Sequence, residues 1–140
     1  MRVRRILFVC TGNSARSQMA EGFARYYGGR SVRVDSAGTR PASLHPVAIW
    51  AMNEVGIDIS HQTSDPLDGK NMDEFDYAVT LCGDARDSCP RLPDPIQARH
   101  WDLADPAAVR GRPSDVKTAF EVIRNQIERK VKDLLREIFA

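Results

Sequence analysis

The sequence predicts an α/β fold: a four-stranded parallel sheet covered on both faces, a three-layer sandwich. Three observations carry this. Four short apolar runs are separated by stretches of helical periodicity, the order that βαβ units impose. The first run, Ile6-Leu7-Phe8-Val9-Cys10, is apolar without alternation, as a strand buried on both faces requires. Size is the third: 140 residues suit one domain, 1–140, which buries around two-thirds of its unfolded surface without needing a metal or disulfide.

Each element follows from local pattern. The first strand, Arg4 to Cys10, breaks at Thr11-Gly12-Asn13-Ser14. Ala15 to Tyr27 reads as a helix with Met19, Phe23 and Tyr26 or Tyr27 on its apolar face, stopped by Gly28-Gly29. Ser31 to Ser36 is the second strand, closed by Ala37-Gly38. Pro46 suits the first turn of a helix over Val47 to Val55, and Gly56 ends it. A polar stretch, His61 to Glu74, leads to the third strand, Tyr77 to Cys82. Residues 83–97, rich in proline and charge, read as a long functional loop before a weak fourth strand, Ala98 to Trp101. Ser114 to Phe139 is the clearest helix, with Val116, Phe120, Ile123, Ile127, Val131, Leu134, Leu135 and Ile138 on one face and Ser114 and Asp115 where N-caps belong. That stripe is expected to pack on the sheet rather than form a coiled coil.

Composition narrows the chemistry. Hydrophobic residues make up 42% and charged residues 28%, a globular rather than a disordered mixture. A net charge of +1 argues against nucleic acid or any other polyanion held by the whole surface. The Ile6–Cys10 run is too short for a membrane span or a signal-peptide core, so a cytoplasmic protein is expected, with no membrane partner. Cys10, Cys82 and Cys89 are too few, and odd in number, for a secreted disulfide scaffold. His45, His61 and His100 are scattered, so no short-spaced metal-ligand set exists.

Ligands of parallel sheets bind beyond the carboxyl ends of the strands, and Cys10 and Cys82 each end one. Cys10-Thr11-Gly12-Asn13-Ser14-Ala15-Arg16-Ser17 sets a thiol, a five-residue loop and an arginine at a strand-to-helix junction. Inward backbone N–H groups and the positive end of the following helix suit a tetrahedral oxyanion, and Arg16 is able to clamp two of its oxygens. The same field favours a thiolate nucleophile at Cys10. Gly12 is expected to let the turn close, and the side chains of Asn13 and Ser17 to hold the loop or the thiolate.

Val9 to Glu21, VCTGNSARSQMAE, resembles the phosphate-binding loop of the low-molecular-weight protein tyrosine phosphatase superfamily. It is most similar to that superfamily's thioredoxin-coupled arsenate reductases. The resemblance extends through DSAGT at 35–39, IDISHQTSD at 57–65, VTLCGDARDSCP at 79–90 and HWDLADPA at 100–107. It implies a four-stranded parallel sheet with flanking helices, in agreement with the strands read above. It also implies a general acid in an Asp-Pro pair, matching Asp105-Pro106, with Asp102 and Asp94-Pro95 as nearby competitors.

Within the superfamily, Cys82-Gly-Asp-Ala-Arg-Asp-Ser-Cys89 separates the two activities. A phosphatase needs one thiol; reducing arsenate takes two electrons, which paired thiols supply. The resemblance implies that Cys10 attacks arsenate, Cys82 resolves the adduct with release of arsenite, and Cys89 takes over to leave a Cys82–Cys89 disulfide for thioredoxin, in arsenic detoxification. Each thiol has to reach the next, so the segment between 82 and 89 has to move; as a helix it would span roughly 10 Å and have to unwind. Phosphatases of the superfamily carry aromatic residues after the Asp-Pro pair, whereas Ala107 and Ala108 stand here. Ala15, where many phosphatases have a second cysteine, decides nothing. Several reductases bind potassium through positions matching Asn13, Glu21, Ser36 and Asp65, all oxygen donors here. Expected partners are arsenate and the related oxyanions phosphate and sulfate, and thioredoxin; no tightly bound cofactor and a monomer are expected. The alternatives are a phosphate-monoester hydrolase working through a Cys10 phospho-enzyme and a non-catalytic anion-binding or redox-sensing module.

Overall fold

A computed structural model describes residues 2–83, 92 and 96–140. Cys89 and Asp94-Pro95 therefore fall outside the described residues, as does most of the loop expected over 83–97. The chain runs β1 (Arg4–Cys10), α1 (Arg16–Gly28), β2 (Val32–Gly38), α2 (Pro46–Asn53), β3 (Tyr77–Leu81), β4 (Gln97–Trp101) and α3 (Pro113–Ile138). All strand pairs are parallel, in the order β2-β1-β3-β4. β1 is central because its apolar run can be buried on both sides: Ile6, Leu7, Phe8 and Val9 are wholly buried. Successive side chains point to opposite faces, so Ile6, Phe8 and Cys10 enter the larger core with α1, α2 and α3, while Leu7 and Val9 enter a smaller one. That second face is covered, among the described residues, by the 3-10 turns Leu67–Gly69 and Met72–Glu74 with Phe75, Leu92 and Ile96.

Three local expectations are corrected. Tyr26 and Tyr27 do not join the buried face of α1; they are exposed and stack edge-on, and Tyr27 donates to Glu128 Oε2 of α3. Met19, Ala20, Phe23 and Ala24 fill the interior instead, so the stripe is narrower than the apolar residues suggest. Strand β3 ends at Leu81, one residue before Cys82. Helix α3 starts at Pro113, so Ser114 is inside it and Asp115 caps it from the third position, its Oδ2 accepting the Arg112 N–H at 3.0 Å.

The α3 face holds as read except that Val116 is only partly buried and Arg124 is buried with the stripe. Arg124 Nη1 donates to the Ala51 carbonyl at 2.9 Å and to Glu54 Oε1 at 2.8 Å, which ties α3 to the last turn of α2. No helix among the described residues is long and apolar enough to cross a membrane.

Candidate active site

The loop between β1 and α1 is built by its carbonyls. The carbonyl of Cys10 accepts from Thr39 N–H (3.3 Å), Thr11 from Arg40 (2.9 Å), Gly12 from Ala42 (2.8 Å), Ser14 from His45 (2.9 Å) and Ala15 from Met19 (2.9 Å). Gln18 Nε2 takes the Asn13 carbonyl at 2.9 Å, and Ser64 Oγ adds a second bond to Gly12 at 3.2 Å. With every carbonyl from 10 to 15 drawn outward, the loop's N–H groups turn inward and form a cradle for an anion. No side chain caps the start of α1, so its first amides face the same cradle.

Two glycines adjoin this turn. The left-handed residue of the turn is Asn13, at φ 45°, and not Gly12, which has room for a Cβ beside Ser14 and Ala42. Gly38, at the end of β2, is where a missing side chain matters. A Cβ there would lie 2.7 Å from the Thr11 carbonyl oxygen and 2.8 Å from the Asn13 nitrogen. The cradle therefore rests against a bare backbone.

Inside the loop, Cys10 Sγ lies 2.9 Å from Ser17 Oγ, and Ser17 Oγ lies 2.8 Å from Asn13 Oδ1. The hydroxyl has one hydrogen. It donates to Asn13 while the thiol donates to it, and can turn to the sulfur once the thiol proton has gone. Asn13 Nδ2 is buried with no hydrogen-bond partner among the described residues. Arg16 is buried (3% exposed), its Nη1 donating to the Leu103 carbonyl at 2.9 Å and its Nη2 lying 3.9 Å from Asp105 Oδ2. Asp105, held as a turn cap by the Ala107 N–H at 3.0 Å, thus lies by the guanidinium, while Asp94 falls outside the described residues. Asp102 instead lies beside Gly83, where a Cβ would meet its Oδ1 at 2.9 Å.

Both described thiols are buried, Cys10 at 2% and Cys82 at 5% exposure. Val9 pairs with Thr80 across β1 and β3, so Cys82 stands two residues beyond that rung and one beyond the level of Cys10. Sheet spacing puts their Cα atoms on the order of 6 Å apart, but strand alternation carried past Leu81 turns Cys82 to the face opposite Cys10, so joining the sulfurs requires the backbone at Cys82 to turn.

Glu21, Ser36 and Asp65 line one cavity of about 140 Å³ beside the loop; Asn13 does not. Glu21 Oε1 accepts from Ser36 Oγ at 2.6 Å and its Oε2 meets Arg25 at 2.6 Å, while Lys70 Nζ lies 3.2 Å from Asp65. Burial still pushes the Glu21 carboxyl above its ordinary value, against the Ser36 hydrogen bond and the charges of Arg25 and Lys70. Oxygen donors around an under-compensated carboxylate suit a hard monovalent cation. A stability consequence follows. Because the folded value is raised, the native state holds this proton more tightly, so stability from Glu21 is complete below about 4.5 and is lost as pH rises through the folded value. Glu21→Gln keeps an acceptor for Ser36, so its Tm relative to wild type is expected to improve by a few degrees as pH rises from 4.5 to 7. Thermal unfolding of both proteins across that range checks this; a constant difference would sink it.

Sequence reasoning missed Gly38, Gln18, Ser64 and the Leu103 carbonyl. Gln18 is the least visible: its Nε2 also donates to the Thr63 carbonyl at 2.9 Å, and Gln62 Nε2 donates to its Oε1 at 2.9 Å, so one buried amide chain stitches the loop to residues 62 and 63. A glutamine in a helix pattern signals nothing of this.

The family model of the low molecular weight phosphotyrosine protein phosphatases matches residues 5–140. An arsenate reductase of Bacillus subtilis (strain 168) is 47% identical over 128 residues, 91% of this chain and 92% of that protein. A solved arsenate reductase in the phosphate-binding state superposes with a TM-score of 0.83 at 38% identity, covering 97% of this chain and 99% of that one. The thioredoxin-dependent arsenate reductase of Corynebacterium glutamicum superposes with a TM-score of 0.73 at 30% identity, over 98% of this chain and 62% of that one.

Proposed function

The chain belongs to the low molecular weight phosphotyrosine protein phosphatase family, and from that premise we propose that it reduces arsenate to arsenite by a three-cysteine relay ending on thioredoxin. The observation that carries this reading is the second thiol: Cys82, one residue beyond β3, at the edge where Cys10 ends β1. Hydrolysis of a phosphate ester would leave that thiol idle.

Arsenate enters the amide cradle of residues 11–17, with Arg16 against its oxygens. The Cys10 sulfur, its charge met by the Ser17 hydroxyl, attacks arsenic. Asp105 protonates the departing oxygen, which leaves as water, and a sulfur–arsenic bond remains. Cys82 as thiolate then attacks Cys10 Sγ. The sulfur–arsenic electron pair stays on arsenic, which falls from the +5 to the +3 state and departs as arsenite, while the two sulfurs, oxidised by two electrons together, form a disulfide. Cys89 attacks Cys82, frees Cys10 and leaves Cys82–Cys89 for thioredoxin. The Leu103 carbonyl fixes one end of the Arg16 guanidinium, so the clamp is oriented before substrate arrives. A potassium ion would be held by Glu21, Ser36 and Asp65 and would supply static charge that stiffens the neighbouring backbone; no chemical step runs through it. A reducing cytoplasm suits enzymes that cycle through thiols.

The test is a coupled assay with thioredoxin, thioredoxin reductase and NADPH. Arsenate-dependent NADPH oxidation is expected, with at most weak p-nitrophenyl phosphate hydrolysis. Efficient hydrolysis without any arsenate-dependent oxidation would promote the phosphatase instead.

A further inference from the structure

At the starts of the strands, away from the oxyanion loop, β1 and β2 set two arginines side by side. The parallel register pairs Arg5 with Arg33, so their Cα atoms lie about 4.8 Å apart and both side chains share the sheet face of Leu7. Like charges so placed are destabilising unless a counter-charge meets them. Arg5 Nη1 lies 3.7 Å from Glu74 Oε2, a loose pair, whereas Arg33 meets no carboxylate among the described residues. A third arginine, Arg25 of α1, closes over the edge of β2: its Nη2 donates to the Val34 carbonyl at 2.8 Å and meets Glu21 Oε2 at 2.6 Å. All three line one cavity of about 560 Å³, together with Asp35, Glu74 and Phe75. We propose that this cavity binds a small organic phosphate, a phosphomonoester of nucleotide size, with its dianion between Arg33 and Arg5 and its body along Phe75.

Charge and size select that class. Guanidinium groups present paired N–H donors that match phosphate oxygens, and a phosphomonoester carries close to two charges near pH 7. Asp35 and Glu74 in the same walls accept from hydroxyl or amino groups of the body, and repel a chain of several phosphates. An isolated oxyanion would leave most of the space to water, since cavities of roughly 300–1,000 Å³ take whole small molecules. Phe75 is half-buried beside Leu7 and Val9, and its remaining surface offers a planar wall for a ring. The cavity is separate from the oxyanion loop: five residues of strand, about 16 Å, lie between Arg5 and Cys10. Arg25 also lines the smaller cavity of Glu21 and Asp65, where its charge is already met. Arg33 lines only the larger one, so its charge is the one that a ligand would answer.

Adenosine 5′-monophosphate is the probe. In ¹H–¹⁵N spectra of wild type it is expected to shift the backbone amides of residues 32–35 and of Phe75 saturably. Arg33→Glu, at an exposed position, should weaken this binding about tenfold or more, the scale of one lost charge-assisted contact, and leave the arsenate kinetics at wild-type values. Arg33→Gln removes the charge without reversing it and should lose the same contact; weakening in Arg33→Glu alone would be mere repulsion and would overturn the proposal. Adenosine binding as tightly as its monophosphate would show that the arginines read no phosphate, and inorganic phosphate binding as tightly at residues 32–35 would show that the body adds nothing. Either result overturns the class of ligand. Shifts confined to amides 11–17 would place the probe in the oxyanion loop, and they overturn the site, as does an absence of saturable shifts at 32–35 up to about 10 mM, weaker than the millimolar end of specific binding.

Discussion

Cys82→Ser and Cys89→Ser are each expected to reduce arsenate-dependent NADPH oxidation to background, and to stop at different stages. In Cys89→Ser, Cys10 and Cys82 remain, so one equivalent of arsenite leaves and a Cys10–Cys82 disulfide is trapped with no free thiol. In Cys82→Ser the adduct on Cys10 has no resolving thiol, so no arsenite leaves. The asymmetry follows from electron balance: each arsenite requires two sulfurs to be oxidised together, and Cys89 enters only after that has happened. Hydrolysis of p-nitrophenyl phosphate needs Cys10 alone, so whatever rate wild type has should persist in both and report an intact loop. Thiol titration after stoichiometric arsenate, with arsenite measured in parallel, checks all of this. Wild-type turnover in both variants would sink the relay.

Gly38→Ala is expected to lower kcat/KM for arsenate by about 10²-fold, the scale on which a misplacement of about 1 Å costs an enzyme its alignment. The added methyl would lie 2.7 Å from the Thr11 oxygen and 2.8 Å from the Asn13 nitrogen, and both are backbone atoms that cannot rotate aside. The alternative to moving the loop is moving β2. That strand is pinned by seven rungs to β1, and the Gly38 N–H is bonded to the Asp65 carbonyl at 2.9 Å. The loop therefore yields, and its amides leave the positions that receive the oxyanion. Overpacking of this kind costs about 1–3 kcal/mol, so Tm should fall by several degrees without loss of the fold. Steady-state kinetics with arsenate and the dissociation constant of phosphate measure the effect. Kinetics within threefold of wild type would mean that the loop is not braced by Gly38.

These two variants mark how far the sequence is legible. That Cys10 and Cys82 come to one edge of the sheet could be read from two strand-like runs that each end in cysteine, because parallel strands bring their carboxyl ends to one edge. Gly38 could be read as the end of a strand and nothing more. Its role depends on β2 pairing with β1 along the whole of Arg4–Cys10, which brings residue 38 behind a loop it follows by more than twenty positions. Gly12 drew the attention that Gly38 required, since it sits inside the loop; the left-handed backbone in fact falls on Asn13. Tyr26 and Tyr27 extended an apolar stripe on paper, yet α1 is buried only as far round as its neighbours reach.

By itself the sequence determined the order of strands and helices, the oxyanion loop with its nucleophile and arginine, and the presence of a second thiol at the same edge. Those are consequences of periodicity and short spacing, which act within a few residues along the chain. Tertiary structure alone decided that Asp105 meets Arg16, which carbonyl orients its guanidinium, which N–H groups hold the carbonyls of Cys10, Thr11, Gly12 and Ser14, and that Gly38 stands behind the loop. Each of those joins groups 20 to 90 positions apart, such as Arg16 with Leu103 and Ser14 with His45. Distances of that kind are set by how whole elements pack, and no local pattern encodes them.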